Sequence, residues 1–591
     1  MTLTARTACG SLRGNDAGIV VELYGWVHRR RDHGGLIFID LRDRSGLVQV
    51  RVDPAHPQAH GRAGEARLEF VLHVRGRVQR RPPGAENKEL PTGEIEIDAE
   101  QVEILNSART PPFAINEDGA VEEQLRLRYR YLDLRRPVMG ENLRLRHRII
   151  KGIRDFLDDE GFLEVETPVL IRSTPEGARD YLVPSRLRHG HFYALAQSPQ
   201  LYKQLLMVAG LDRYFQIVRC YRDEDLRADR QPEFTQLDLE MSFVQEEDVL
   251  DIIERSFVQV WREVLQVPIE SPIPRMTHAQ ALARYGVDKP DLRYGLEIVE
   301  LTPAFKATAF QVFRQVLDAG GTIRGIRVPK GGTLSRRDID ELTEVARTAK
   351  AKGLAYWYRE ADEWRSPITR YFQPEELKRL QDSTGAEPGD LVVAVADQPA
   401  VSGPALAAVR RALAERLKLI PAGEHRFVWV TEFPLYELSQ ETGQLTTAHH
   451  PFTSPNPADL DLLERSPLKA RARAYDLVLN GTELGSGSIR IHDRALQQRV
   501  FNVLGMSEEE AGRRFGFLLD AFEYGAPPHG GFAFGVDRVV MLAAGQETIR
   551  EVIAFPKNQQ AEELMTGAPS LVDQAQLREL GLQLMRPPPK D

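Results

Sequence analysis

The sequence predicts a multidomain α+β protein that begins with an all-β segment. Three observations carry this. At roughly 150 residues per domain, 591 residues make about three or four domains. Five strand-like runs crowd between about residues 20 and 105, and from about residue 140 onward helical and strand-like patterns alternate. A 42% apolar and 28% charged composition is ordinary for a globular chain with sizeable cores.

The five runs are VVELYGWVHR, LIFIDLRD, LVQVRV, LEFVLHVRGRVQ and GEIEIDAEQVEIL, separated by turn signals such as Asp43-Arg44-Ser45-Gly46. Five short strands in one small segment predict a closed β-barrel of the OB type over 1–108. TPPFAINEDGA reads as a linker, within a hinge placed at 109–135. In ENLRLRHRIIKGIRDFLDDEG the apolar residues Leu143, Leu145, Ile149, Ile150, Ile153, Phe156 and Leu157 keep near-helical spacing, and Gly161 is placed to end the helix. FLEVETPVL is a strand interrupted at Pro168, which suits an edge or an interface. Residues 289–420 mix helical runs such as RRDIDELTEVARTAKAKG with strands such as DLVVAVAD and hold no dense polar cluster. They read as an inserted domain between 136–288 and 421–591.

Several classes are disfavoured. A net charge of −9 argues against a uniformly basic nucleic-acid binder, although a local patch can override the total. Cys9 and Cys220 are too few for a disulfide framework or a thiolate zinc site. The N-terminal residues lack a signal-peptide pattern, and no run of about 18 apolar residues occurs. A soluble cytoplasmic protein without membrane contact is expected.

Three stretches are chemically dense. FQIVRCYRDEDLRADRQPEFTQLDLEMSF alternates opposed charges between strand-like flanks, more than a solvated surface run would need. NGTELGSGSIRIHD brings an acid, small residues and an arginine onto a strand-like run. In PPHGGFAFGVDRVVML, Gly530, Gly531 and Gly535 precede Asp537, Arg538 and a helical run. Such glycines either let a ligand approach the backbone or serve tight packing.

Together the stretches resemble the three motifs of the class II aminoacyl-tRNA synthetases: Pro168 in the first, Arg222-Asp223-Glu224 in the second, Gly535-Val536-Asp537-Arg538 in the third. More narrowly, RYRYLDLRRP, STPEGARDYLVPSR, QSPQLYKQLLM, HHPFTSP, GSGSIRIH and EVIAFPKN resemble the bacterial-type aspartyl-tRNA synthetases, and the likeness covers nearly the whole chain. It implies an anticodon-binding barrel, a catalytic antiparallel sheet flanked by helices, split by the bacterial insertion, and a C-terminal extension. It also implies a homodimer, since the strand holding Pro168 lies at the family's subunit interface. The implied reaction joins L-aspartate to tRNA(Asp) through an adenylate, with ATP as substrate and Mg²⁺.

The resemblance also implies roles. Arg222 would contact both the substrate carboxylate and the α-phosphate, a task for a planar fork. Arg538 and Glu483 would complete the catalytic set. Glu224 and Gln231 would hold the adenosine end, Phe234 would stack under adenine, and Asp223, Gly535, Val536 and Asp537 would complete the ATP site. Asp476 and Glu483, hard oxygen donors, would bind magnesium. Lys203 and Arg490 would face the substrate's side-chain carboxylate; Glu176, Gln200 and Asp238 would surround its ammonium, and His449 would close over it. Two such cations would be left unpaired by a neutral asparagine, which would disfavour it. Without the motif, Lys203 on QLYKQLLM would read as a solvent-facing helix residue. The family more often has Met where Ala448 stands, and Gly where Ser486 stands.

In the barrel, Phe38 would stack on the middle anticodon base, with Arg29, Arg31, Gln49 and Glu96 at base edges and phosphates. Alternation alone leaves Phe38 equally a core residue, since Ile37 and Ile39 are apolar too. His33 stands where the family's strict members tend to carry leucine, which points to tRNA(Asn) as a second acceptor. The alternatives are a non-catalytic synthetase-like RNA-binding protein and an asparagine- or lysine-specific sister enzyme. Arg222, Glu483, Arg490 and Arg538 favour an enzyme, and the pair Lys203 and Arg490 favours aspartate.

Overall fold

A computed structural model describes residues 6–116, 119–173, 178–439 and 442–585. The chain divides into two compact units, Met1–Arg144 with Ile553–Ser570, and Leu145–Val552 with Leu571–Asp591.

In the first unit, strands Val20–His33, Leu36–Asp43, Gly46–Val52, Val71–Arg80 and Ile95–Asn106 close a barrel in which the fifth strand lies between the third and the fourth. Period-2 alternation fills it: Leu23, Val27, Ile39, Leu41, Val48 and Val50 point inward and are fully buried. Phe38 falls out of that phase, so it lies on the outer face and not in the core. The first hairpin turns on Gly34 and Gly35, both in the left-handed region (φ 60° and 85°), where a side chain would be strained.

Two short helices, Glu123–Arg128 and Arg130–Asp133, lie inside the segment expected to be a hinge. They are organised by the fully buried Asp133, which pairs with Arg126 (2.9 Å), Arg130 (2.6 Å) and Arg136 (3.5 Å). Arg130 also donates to the carbonyls of Ile553 and Ala554. RYRYLDLRRP and EVIAFPKN therefore meet, and Ile553–Ser570 pack with this unit rather than with the rest of 421–591.

The second unit is built on an eight-stranded sheet, in the order 275–277, 427–431, 474–479, 482–489, 529–535, 233–242, 213–221, 163–164. The implied antiparallel sheet holds for its six inner strands, while the short strand at each edge is parallel to its neighbour. FLEVETPVL is not one interrupted strand but two short ones. Leu163–Glu164 joins this sheet and Leu170–Ile171 joins a separate three-stranded one, because the segment around Pro168 leaves the ladder between them. The helix expected over 141–161 runs Pro137–Asp159 and is followed by Gly161 at φ 80°.

On the strand Glu233–Ser242 the residues alternate strictly. Leu237, Leu239 and Met241 are buried on the apolar face, while Gln236, Asp238 and Glu240 point to the other. Phe534 of the neighbouring strand meets Phe257 of the helix Glu246–Val260 at 5.2 Å between ring centres, one of the contacts of the apolar side. The polar face is thereby left to form a site floor.

Between residues 298 and 397 an all-antiparallel five-stranded sheet carries apolar clusters on both faces, one around Ile326 and Leu406, the other around Phe305 and Trp357. No helix among the described residues is long and apolar enough to cross a membrane.

Candidate active site

The polar face of the eight-stranded sheet opens into a cavity of about 460 Å³. Its floor comes from strands 233–242, 482–489 and 529–535. The helices Gln200–Val208 and Val536–Ala543 and the loops around 222–231 and 449–450 supply further lining residues. Arg222, Glu224, Gln231, Phe234, Gln200, Lys203, Asp238, His449, Glu483, Arg490, Gly535, Asp537 and Arg538 all line it. Glu176 lies outside the described residues.

At one end four charges are locked together. Lys203 Nζ lies 3.0 Å from Asp238 and 3.1 Å from Glu240, and Arg490 takes both oxygens of Glu240 in a fork at 2.9 and 3.2 Å. Lys203 is 1% exposed, which excludes a solvent-facing role on its helix. Gly531, opposite Glu240 on the next strand, makes this possible: a Cβ there would fall on the Glu240 carboxylate. The glycines at 530 and 531 thus serve packing inside a strand; Gly535 alone stands at the start of the helix.

The electrostatics follow from burial and pairing. Burial opposes ionisation of Glu240, but Arg490 and Lys203 overcome it and hold its pKa down at about 2. Asp238 has the opposite balance. Burial, with Glu240 as a like charge, outweighs Lys203 and pushes it up to about 6. Its Oδ1 is buried with no hydrogen-bond partner among the described residues, an acceptor facing a cavity and waiting for a donor. The two cations are therefore not left unpaired by a neutral ligand, contrary to the simple charge argument from sequence, because Glu240 already pairs with both and Asp238 with Lys203.

At the other end, the Arg222 guanidinium lies over the Phe234 ring at 5.1 Å, and no ion pair joins it to a described carboxylate. Arg538 is held by Asp229 (3.0 Å) and by the carbonyl of Glu483. Asp537 pairs with Arg146 and accepts from the Thr235 N–H at 2.8 Å, and Val536 is fully buried in the core. These two fix the helix start, and Val536, predicted as part of the ATP site, does not line the cavity, unlike Gly535, Asp537 and Arg538 beside it. Glu224 pairs with Arg230 at 3.3 Å, and Asp223 stands 3.9 Å from Arg179.

Asp476 and Glu483 lie on adjacent strands across a β-bulge. Burial pushes the Asp476 carboxyl up to about 6, with Glu483 adding to it, while a 3.5 Å contact to His449 Nε2 works the other way. Burial disfavours charge on His449, but Asp476 outweighs it and raises its pKa. The described residues form no three-residue group suited to a metal. Two like carboxylates, one of them resisting ionisation, do fit a hard cation that takes its other ligands from phosphate or water.

Residues 122–559 match the family described as tRNA synthetases class II (D, K and N), and residues 21–105 match the OB-fold nucleic acid binding domain. The chain belongs to the class II tRNA synthetases. An aspartate–tRNA(Asp/Asn) ligase of Moorella thermoacetica is 57% identical over 575 residues, covering 97% of this chain and 96% of that protein. One of Symbiobacterium thermophilum is 55% identical over 584 residues, covering 97% and 98%. Among solved structures, an asparaginyl-tRNA synthetase of Pyrococcus horikoshii complexed with asparaginyl-adenylate shares the fold, at TM-score 0.59, 19% identity and coverage of 94% and 98%. A putative aspartyl-tRNA synthetase of Leishmania major does so at TM-score 0.58, 21% identity and coverage of 95% for each chain. Class II synthetases use ATP.

On the family's OB barrel, Phe38 has Arg31 and Arg51 as its cross-strand partners. Arg31 donates to Gln49 Oε1 at 3.3 Å and Gln49 donates to Glu96 at 2.9 Å, which links three predicted residues beside the ring. Arg29 and His33 are exposed. Arg51, which pairs with Asp98 at 2.8 Å and approaches Glu96 at 3.8 Å, is absent from the predicted set.

Sequence reasoning also missed His450, Ser488 and Asp229, which line the synthetase cavity, and Glu240, buried behind it. His450 Nε2 stands 2.7 Å from Arg490 Nη1, and burial with that neighbouring cation keeps the ring neutral. The available signal was the period-2 run Gln236, Asp238, Glu240 in an otherwise apolar strand.

Proposed function

We propose that this chain activates L-aspartate with ATP and transfers it to tRNA(Asp), and to tRNA(Asn) as well. The observation that carries the reading is the unpartnered, buried Asp238 Oδ1 in the same cavity as Lys203 and Arg490. An acceptor for an ammonium beside two cations suits an amino acid with an anionic side chain. The names of the relatives at more than 50% identity point the same way.

In this mechanism the α-carboxylate of aspartate attacks the α-phosphorus of ATP in line and pyrophosphate leaves. A hydroxyl of the terminal tRNA ribose then attacks the acyl carbon of the adenylate, forming the ester as AMP leaves. No side chain forms a covalent bond to substrate; positioning and charge stabilisation lower the barrier. Arg222, lacking a carboxylate partner among the described residues, takes the α-phosphate and the substrate carboxylate. Phe234 and Arg538 sandwich the adenine, with Glu224 and Gln231 at its edges. Asp238, Gln200 and Glu176 receive the ammonium, Lys203 and Arg490 receive the side-chain carboxylate while held by Glu240, and His449 closes over the site. Asp476 and Glu483 would hold Mg²⁺, which when bound would supply charge neutralisation to the phosphates.

The barrel reads the anticodon through Phe38, flanked by Arg29, Arg31, Gln49 and Glu96, with His33 tolerating either third base. Residues 289–420 are an insertion in a catalytic domain formed by 136–288 and 421–591. The half-exposed Leu163, Val169 and Leu170 support a homodimer interface around the first motif. The enzyme acts in the cytoplasm. Amino-acid-dependent pyrophosphate exchange with aspartate, asparagine and lysine tests the central claim: exchange with aspartate alone is expected, and exchange driven by either other amino acid would overturn it.

A further inference from the structure

A hydrogen-bonded chain runs through the protein behind the amino-acid end of the cavity, and its chemistry fixes its direction. His529, on the strand His529–Gly535, is fully buried, and its Nδ1 lies 2.8 Å from the carbonyl oxygen of Pro527. A carbonyl only accepts, so Nδ1 carries the proton. Burial lowers the pKa of this imidazole and favours its neutral form, so Nε2 is an acceptor.

Nε2 faces Gln204, also fully buried, at 3.1 Å from Gln204 Nε2. The amide nitrogen must therefore be the end turned to the histidine, which leaves Gln204 Oε1 for the next member. That member is Gln200, one turn earlier on the same helix, whose Nε2 donates to Gln204 Oε1 at 3.1 Å. Gln200 borders the cavity. With its nitrogen committed inward, the group it can offer a ligand is its carboxamide oxygen. An exposed glutamine amide can present either end; this one is set by a tautomer two side chains away.

We propose that His529 and Gln204 are positioning residues that hold the Gln200 carboxamide with its oxygen available to the substrate's ammonium group. The proposal rests on the aspartate reading above. In the same cavity the unpartnered Asp238 Oδ1 offers a second acceptor for that ammonium. Neither His529 nor Gln204 touches substrate; each acts through Gln200.

The test uses the full chain and two ligands that differ only at the ammonium: aspartate, and succinate, which has both carboxylates and no amino group. Gln204→Met keeps the length and removes the link; His529→Phe removes the acceptor; His529→Gln returns a carboxamide oxygen near the place of Nε2. Pyrophosphate exchange gives KM for aspartate and for ATP, and inhibition by succinate gives its binding constant. Losing an oriented partner to a charged group should raise the aspartate KM about tenfold or more in Gln204→Met and His529→Phe. KM for ATP and the succinate constant should stay within about twofold, and His529→Gln should recover most of the loss. Should His529→Phe not fold, Gln204→Met decides alone. An equal rise for aspartate and succinate would overturn the proposal, because the substitution would then act on the pocket as a whole; so would an unchanged aspartate KM. Absence of aspartate-dependent exchange in the natural chain would instead refute the substrate reading.

Discussion

Replacing Glu240 by Gln tests whether the amino-acid end of the site is an electrostatically balanced unit. The natural floor holds two cations, Lys203 and Arg490, against two carboxylates, Asp238 and Glu240, and all four side chains are almost fully buried. The substitution keeps the shape and removes one negative charge, leaving Arg490 without its fork and Lys203 with Asp238 only. The folded-state pKa of about 2 against an ordinary 4.5 corresponds to about 3 kcal/mol at 1.36 kcal/mol per pH unit. Breaking a buried pair by removing one partner costs about 3–5 kcal/mol, the same order. The sign follows from the lowered pKa. Glu240 contributes stability that is fully present above about 4.5 and lost as pH falls toward about 2, so the gap between natural chain and variant should narrow in that window. The assay is urea unfolding of the full chain, combined with amide exchange on the strand Glu233–Ser242, with and without saturating aspartate. The variant should be less stable by about 3 kcal/mol at neutral pH. Aspartate, bringing a carboxylate to the uncompensated cations, should protect the variant more than it protects the natural chain. A variant as stable as the natural chain, or one that aspartate fails to protect, would refute the balanced-floor argument.

Four further outcomes are expected. Arg222→Ala should lower aspartate-dependent pyrophosphate exchange by a factor of about 10²–10³ or more while filter binding still detects tRNA; normal exchange in that variant would remove Arg222 from the chemistry. Aspartate affinity, followed by equilibrium dialysis, should fall as pH drops through about 6, because a protonated Asp238 offers no charge to the ammonium, and Asp238→Asn should bind weakly at every pH. Phe38→Ala should weaken tRNA binding by about 1–3 kcal/mol, the value of one stacked base, with pyrophosphate exchange unchanged; equal loss in both would mean the barrel had unfolded. The natural chain should aspartylate purified tRNA(Asn) as well as tRNA(Asp), and His33→Leu should depress the former; a natural chain thousands of times slower on tRNA(Asn) would contradict the relaxed reading.

How much of this was legible before the structure depended on the kind of signal involved. The barrel was readable because each of its strands alternates and each is bounded by a turn, so local pattern and topology agree. Alternation failed to decide Phe38, since three successive apolar residues carry no phase; only the strand pairing puts its ring outside, between Arg31 and Arg51. The dense motifs flagged the site, but charge counting misjudged its balance. Lys203 and Arg490 read as two free cations because the acid that pairs with both, Glu240, is 37 residues from one and 250 from the other. Gly531 shows the same limit: its place before a helix left ligand approach and tight packing open, and only the strand pairing shows that its constraint is a carboxylate on a neighbouring strand. A sequence motif tells which groups a site contains, whereas their charge states depend on who faces whom across the sheet. The specificity argument changes with it. If Glu240 already satisfies Lys203 and Arg490, preference for aspartate over asparagine cannot come from unpaired cations alone. It must come from the balance of the whole floor: an ammonium held at Asp238, which aspartate and asparagine share, leaves one positive charge in excess at Lys203 and Arg490. A carboxylate side chain there completes the balance, whereas a neutral one leaves that buried charge uncompensated.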